Sequence, residues 1–103
     1  MDYQEIAVIG VSCRVPTADT FESFRRIFQE KRCVIGTLPK SRLQLIGADD
    51  ANQYIHYGYL EGFENFDYNF FHLSKQEAIE MDPQHRLALE LAEELFENAG
   101  YSY

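Results

Sequence analysis

Apolar positions along this 103-residue chain fall into distinct patterns. Ile6-Ala7-Val8-Ile9-Gly10-Val11 is a continuous apolar run rich in β-branched side chains. Such a run predicts a strand buried on both faces, as in a layered α/β sheet, and that strand needs neighbours on both sides. Residues 12–18, with Pro16, read as a loop. Phe21, Phe24, Ile27 and Phe28 then recur at helical spacing, which predicts a helix over 20–31. Asp19 or Thr20 can cap its start, and Lys31-Arg32 complement the dipole at its end.

Gly36 and Pro39 mark a turn, and residues 43–62 are the least regular part, with at most a short extended piece at Tyr57–Tyr59. Ser74-Lys75-Gln76-Glu77 matches a capping box and predicts a short helix to about Met81. Asp82 then serves as N-cap and Pro83 as first helical residue of a longer helix over 83–99. Leu87, Leu91 and Leu95 form one row along it, with Ala88, Ala92 and Phe96 beside them. Gly100 closes this helix as a left-handed cap, with Tyr101 placed for the apolar contact that follows such caps.

Composition narrows the class. An apolar fraction of 46%, with eight Phe and seven Tyr, is too high for intrinsic disorder. The net charge of −8 argues against nucleic acid and anionic membrane surfaces as partners. Arg25, Arg26, Lys31, Arg32, Lys40 and Arg42 lie close in sequence, whereas the last third is acidic; this is either two solvated faces or a docking surface. Cys13 and Cys33 lack disulfide-framework or metal spacing. No run approaches the roughly 20 apolar residues of a membrane span, and the first residues lack the regions of a signal peptide. A reduced, cytoplasmic location is expected.

IAVIGVSCRVPTA over 6–18 resembles the opening I-A-I-I-G-M-S-C-R-F-P-G-A of β-ketoacyl synthases, the condensing domains of polyketide and fatty acid synthases. Thr17 stands where that family usually has Gly. Residues 22–35 are similar to its E-E-F-W-x-x-L-x-x-G-x-D-A-I helix, with Arg25 for Trp and Lys31 for Gly. Pro39 and Arg42 match its P-x-x-R-W turn, with Leu43 for the aromatic residue. Phe66, Asp67, Phe70 and Phe71 resemble its F-D-x-x-F-F segment, and 74–81 its I-S-P-R-E-A-x-x-M. Residues 82–101 resemble D-P-Q-Q-R-L-L-L-E-x-A-W-E-A-L-E-D-A-G-Y, with His85 for Gln and Glu93 for Trp. The motifs run in order over almost the whole chain.

The resemblance implies a thiolase-like α/β fold, of which this chain is the truncated N-terminal part: one partial domain over 1–103, α-rich with one or two short strands. It implies decarboxylative condensation of acyl and malonyl thioesters, with the phosphopantetheine arm on a partner acyl carrier protein and no cofactor bound directly. Other synthase subunits, and a homodimer in the full-length family, are further implied partners. The family's nucleophilic Cys and two His lie beyond the point matching Tyr103, so this acyltransferase segment is expected to be inactive alone. No catalytic, cofactor-binding or metal residue is assigned within it.

Cys13 matches a family position that is not the nucleophile, and reads as a packed residue; Cys33 reads as a partly exposed, inert thiol. His56, His72 and His85 read as structural or surface residues, Asp82 as a cap, and Glu90 as a surface or hydrogen-bonding residue. Arg14 and Arg86 occupy family positions that are usually buried Arg, so each needs partners. Arg25 and Glu93 place charges where the family buries rings; either they face solvent or they pair, with each other or with other partners. A docking or scaffolding module, or one half of a split ketosynthase, are the alternative readings.

Overall fold

The computed structural model describes residues 4–102. Among the described residues there are four α-helices, α1 Phe21–Gln29, α2 Lys40–Ile46, α3 Lys75–Glu80 and α4 Pro83–Ala99; the first three are separated by long connections, with a 3-10 turn at Ala51–Gln53, and α3 passes into α4 through Met81 and Asp82 alone. Each helix start has a local cause. Thr20 caps α1 by accepting from the Ser23 N–H. Ser74 and Glu77 form the full capping box of α3. Asp82 caps α4 by accepting from the Gln84 N–H, with Pro83 just inside. At the end of α4, Gly100 is left-handed (φ 81°) and the Tyr101 N–H donates to the Phe96 carbonyl at 3.0 Å, a Schellman closure. The predicted helix over 83–99 is therefore present at those bounds.

Three expectations need correction. The predicted strand over 6–11 forms no ladder, and among the described residues the only β pairs are isolated bridges, Val15 with Ala18 and Gly36 with Tyr57. The reason is topological: among the described residues no other segment pairs its backbone with 6–11. The stretch read as turn and irregular chain holds α2, because Pro39 starts a short helix of about two turns whose Leu43 is buried. The first helix is shorter than predicted, ending before Lys31, which adopts φ 52°.

Only Ala18, Ile27, Leu38, Leu43 and Ala78 are buried apolar residues among those described. The radius of gyration is 17.3 Å, whereas a compact domain of this length has ~13 Å. The accessible surface of 8522 Å² likewise exceeds the ~6000 Å² of a compact protein of this mass. The helices therefore surround no closed core, and much apolar surface remains open to solvent.

Candidate functional site

An early segment of the chain meets the last described helix. Residues 10–14 run along α4, held by three kinds of contact. The Val11 N–H donates to Asn98 Oδ1 at 3.0 Å, and Ser12 Oγ donates to the Leu91 carbonyl at 2.8 Å. Gly10 lies so close to α4 that an added Cβ would come within 2.9 Å of the Ala99 Cβ. Arg14 spans two carboxylates one helical turn apart, Glu90 at 3.2 Å and Glu94 at 2.5 Å. Its guanidinium bridges two carboxylates that would otherwise repel at i, i+4 spacing. The expectation that Arg14 needs partners is met on α4.

Arg86 also finds one, donating to the Ala78 carbonyl at 3.1 Å, which ties α4 to α3. Glu93 and Arg25 do not meet in a described ion pair. Arg25 is exposed, so its charge stays hydrated where the family has Trp, while Glu93 is half-buried with Oε2 lacking a hydrogen-bond partner. Cys13 is half-buried and Cys33 exposed. His56, His72 and His85 are all exposed and lie on different elements. Asp82 spends its carboxylate on its cap. Among the described residues no three His, Cys, Asp or Glu side chains gather as a metal requires. Both terminal nitrogens of Arg14 are engaged by carboxylates, so that cluster joins two segments rather than offering an anion site.

What the fold does present is an apolar surface. Ile6, Val8 and Ile9 are 90%, 86% and 62% exposed. They continue into an apolar cleft of about 290 Å³ against Leu95, Phe96 and Tyr101 of the α4 end. A second groove joins α1 to the loops through Phe24, Phe28 and Ile35, with Lys31 and Arg32 at its rim. The 6–11 run is apolar on both faces, and the fold leaves Ile6, Val8 and Ile9 largely exposed.

Two left-handed residues flank this region. Val15 and Ala18 exchange backbone hydrogen bonds at 3.1 and 3.0 Å around Pro16-Thr17, and Thr17 has φ 67°. Proline second and a left-handed residue third is the turn geometry that favours glycine at that third place. Lys31, also at positive φ, closes α1. Both are positions where the resemblance has Gly, so these departures fall on backbone that glycine fits better.

An α-rich assembly whose first segment packs on its last helix defines the class: the early part of a thiolase-like α/β fold. A model of the family described as "Beta-ketoacyl synthase, N-terminal domain" matches residues 3–103, and the chain belongs to that family. It is 39% identical over 97 residues to the non-reducing polyketide synthase trt4 of Aspergillus terreus, covering 93% of this chain and 4% of that protein. It is 42% identical over 109 residues to the partially reducing polyketide synthase tpeA of Talaromyces stipitatus, covering 96% of this chain and 4% of that one. Among solved structures it resembles ketosynthase twelve of the bacillaene polyketide synthase in Bacillus amyloliquefaciens. There the TM-score is 0.70 at 28% identity, over 88% of this chain and 17% of that chain. The chain thus corresponds to a ketosynthase N-terminal segment and spans a small fraction of its relatives' length. No helix among the described residues is long and apolar enough to cross a membrane.

Proposed function

We propose that the chain contributes the N-terminal structural part of a ketosynthase that condenses acyl and malonyl thioesters in a polyketide synthase. It supplies scaffold rather than reacting groups. One observation carries the reading: 88% of the chain superposes on a ketosynthase chain of which it covers 17%. Residues 1–103 then act as one partial domain in a cytoplasmic synthase. Its partners are the remaining synthase domains and a carrier domain whose phosphopantetheine arm brings the acyl group.

Chemistry supports the scaffold role. A condensing nucleophile needs a thiolate activated by a neighbouring cation or dipole, and donors for the oxyanion. Cys13 is half-buried in the segment that packs along α4, and the three His are dispersed and exposed. The test is to incubate the chain with an acyl thioester and read intact mass, then assay condensation. Unmodified protein and no condensation product are expected. Stoichiometric acylation at Cys13 would overturn the reading.

A docking role is the second reading, favoured by the exposure of Ile6, Val8 and Ile9. An acidic, catalytically silent segment can hold another synthase component through such a surface.

A further inference from the structure

We propose that a cavity in the loops beside α1 is a binding site for a small organic cation with an alkylated ammonium head. The cavity has a volume of about 350 Å³. It lies between the turn over 15–19 and the segment over 57–61. Gly36 and Tyr57 exchange backbone hydrogen bonds at 3.0 Å, which hold that segment in place. The short extended piece expected at Tyr57–Tyr59 thus forms one wall of the cavity.

Charge points to a cation. Asp19 and Glu61 both line the cavity, and none of its lining residues is Lys, Arg or His. Neither carboxylate has an ion-pair partner among the described residues. Glu61 accepts a long hydrogen bond from Ser41 Oγ, at 3.4 Å. Arg42, on α2, is engaged elsewhere: it donates to the Leu60 carbonyl at 2.9 Å and lies over the Phe63 ring, 4.1 Å from its centroid. A cleft lined by one sign of charge concentrates ligands of the other sign.

The walls select the kind of cation. The rings of Tyr57 and Tyr59 line the cavity with centroids 6.0 Å apart and planes tilted by 56°. One cation can lie within the ~6 Å reach of both rings. The Tyr59 hydroxyl donates to the Ile55 carbonyl at 2.7 Å, which fixes its ring. Val15 and Pro16 add apolar surface. A metal ion needs several converging ligand atoms, and among the described residues no three His, Cys, Asp or Glu gather to supply them. Aromatic and apolar walls suit a charge clothed in methyl or methylene groups. Thr17 also lines the cavity, in left-handed backbone where the resemblance has Gly. The wall there carries a side chain that Gly would not supply.

Choline is the probe, titrated into the full chain and followed through the tyrosine ring signals by NMR. Its neutral counterpart is dimethylbutanol, in which carbon replaces the charged nitrogen. Expected are saturable, millimolar binding of choline that shifts Tyr57 and Tyr59, and binding of dimethylbutanol weaker by about fivefold or more. Tyr57→Leu should weaken choline binding about fivefold, whereas Tyr57→Phe should leave it unchanged, because the ring face and not the hydroxyl meets the cation. Asp19→Asn with Glu61→Gln should weaken it by about fivefold or more. Tyr101→Leu, at an exposed tyrosine outside the cavity, should leave it unchanged.

Absence of saturable choline binding, equal affinity for the two probes, or shifts confined to tyrosines other than Tyr57 and Tyr59 overturns the site. The two probes are compared on the unaltered chain, so a variant that disturbs the fold does not blunt this comparison. Binding to phosphatidylcholine vesicles without binding of free choline also overturns it, in favour of a lipid surface. None of these outcomes bears on the ketosynthase reading, which the acylation assay judges.

Discussion

Gly10 and Ala99 lie so close that a side chain at residue 10 would press the Ala99 Cβ at 2.9 Å and the Leu95 carbonyl at 3.1 Å. An early segment of the chain and α4 therefore meet backbone to side chain. Gly10→Val should destabilise the protein by about 1–3 kcal/mol, because neither the helix backbone nor Ala99 can give way. Gly36→Ala is the control, since a Cβ there meets nothing within 4 Å. Urea titrations of the two variants check this. Equal midpoints would refute the contact.

Arg14 makes the same junction electrostatically. Its side chain is 18% exposed, and Glu90 and Glu94 are 25% and 40% exposed, so solvent screens part of the interaction. Arg14→Met should cost about 1–2 kcal/mol and leave two carboxylates repelling at i, i+4. Adding Glu90→Gln and Glu94→Gln should recover much of the loss. Arg14→Lys should recover little, since one ammonium cannot reproduce a fork between two carboxylates. Thermal melts of this set decide between a charge-neutralising bridge and mere packing.

Thr17 and Lys31 reverse the usual effect of glycine. Both have left-handed φ, at 67° and 52°, where a Cβ is strained. Thr17→Gly and Lys31→Gly should each stabilise by about 0.5–1 kcal/mol, despite the added freedom of the unfolded chain. Arg26→Gly, inside α1, should instead cost about 1 kcal/mol. Differential calorimetry on the three variants reads opposite signs if the backbone assignment holds.

Glu77 links α3 to pH. The Ser74 N–H donates to its carboxylate at 2.7 Å, which lowers its pKa below the ordinary value; the Ser74 side chain adds to the effect. A carboxyl with a lowered folded pKa contributes stability at neutral pH. That contribution fades as pH falls through the ordinary glutamate range, and is gone below the lowered folded value. The carboxyl carbon of Glu77 should therefore titrate below those of exposed glutamates by NMR. Glu77→Gln should remove this acid-dependent part of α3 stability and leave the neutral-pH helix largely in place.

Much of this was legible in order along the chain. Capping chemistry is local: Ser74 and Glu77, Asp82 and Pro83, and Gly100 are read within four residues of their effect. That is why α3 and α4 were predictable. Short α2 was not, because a seven-residue helix carries too little periodicity and is stabilised by burial of Leu43. The family motifs were legible too, because they depend on residue types at fixed spacing.

The residues by themselves determined the family, the long helix and the two-faced apolar character of 6–11, since each follows from local chemistry. Tertiary structure decided the rest. It placed Gly10 on Ala99 and Arg14 between Glu90 and Glu94, pairs more than seventy positions apart that no local pattern announces. It left Arg25 in solvent and Glu93 half-buried without the cross-helix pairing weighed from sequence. It also decided that 6–9 is no strand here. A strand exists only through hydrogen bonds to a neighbour, and among the described residues none pairs with it.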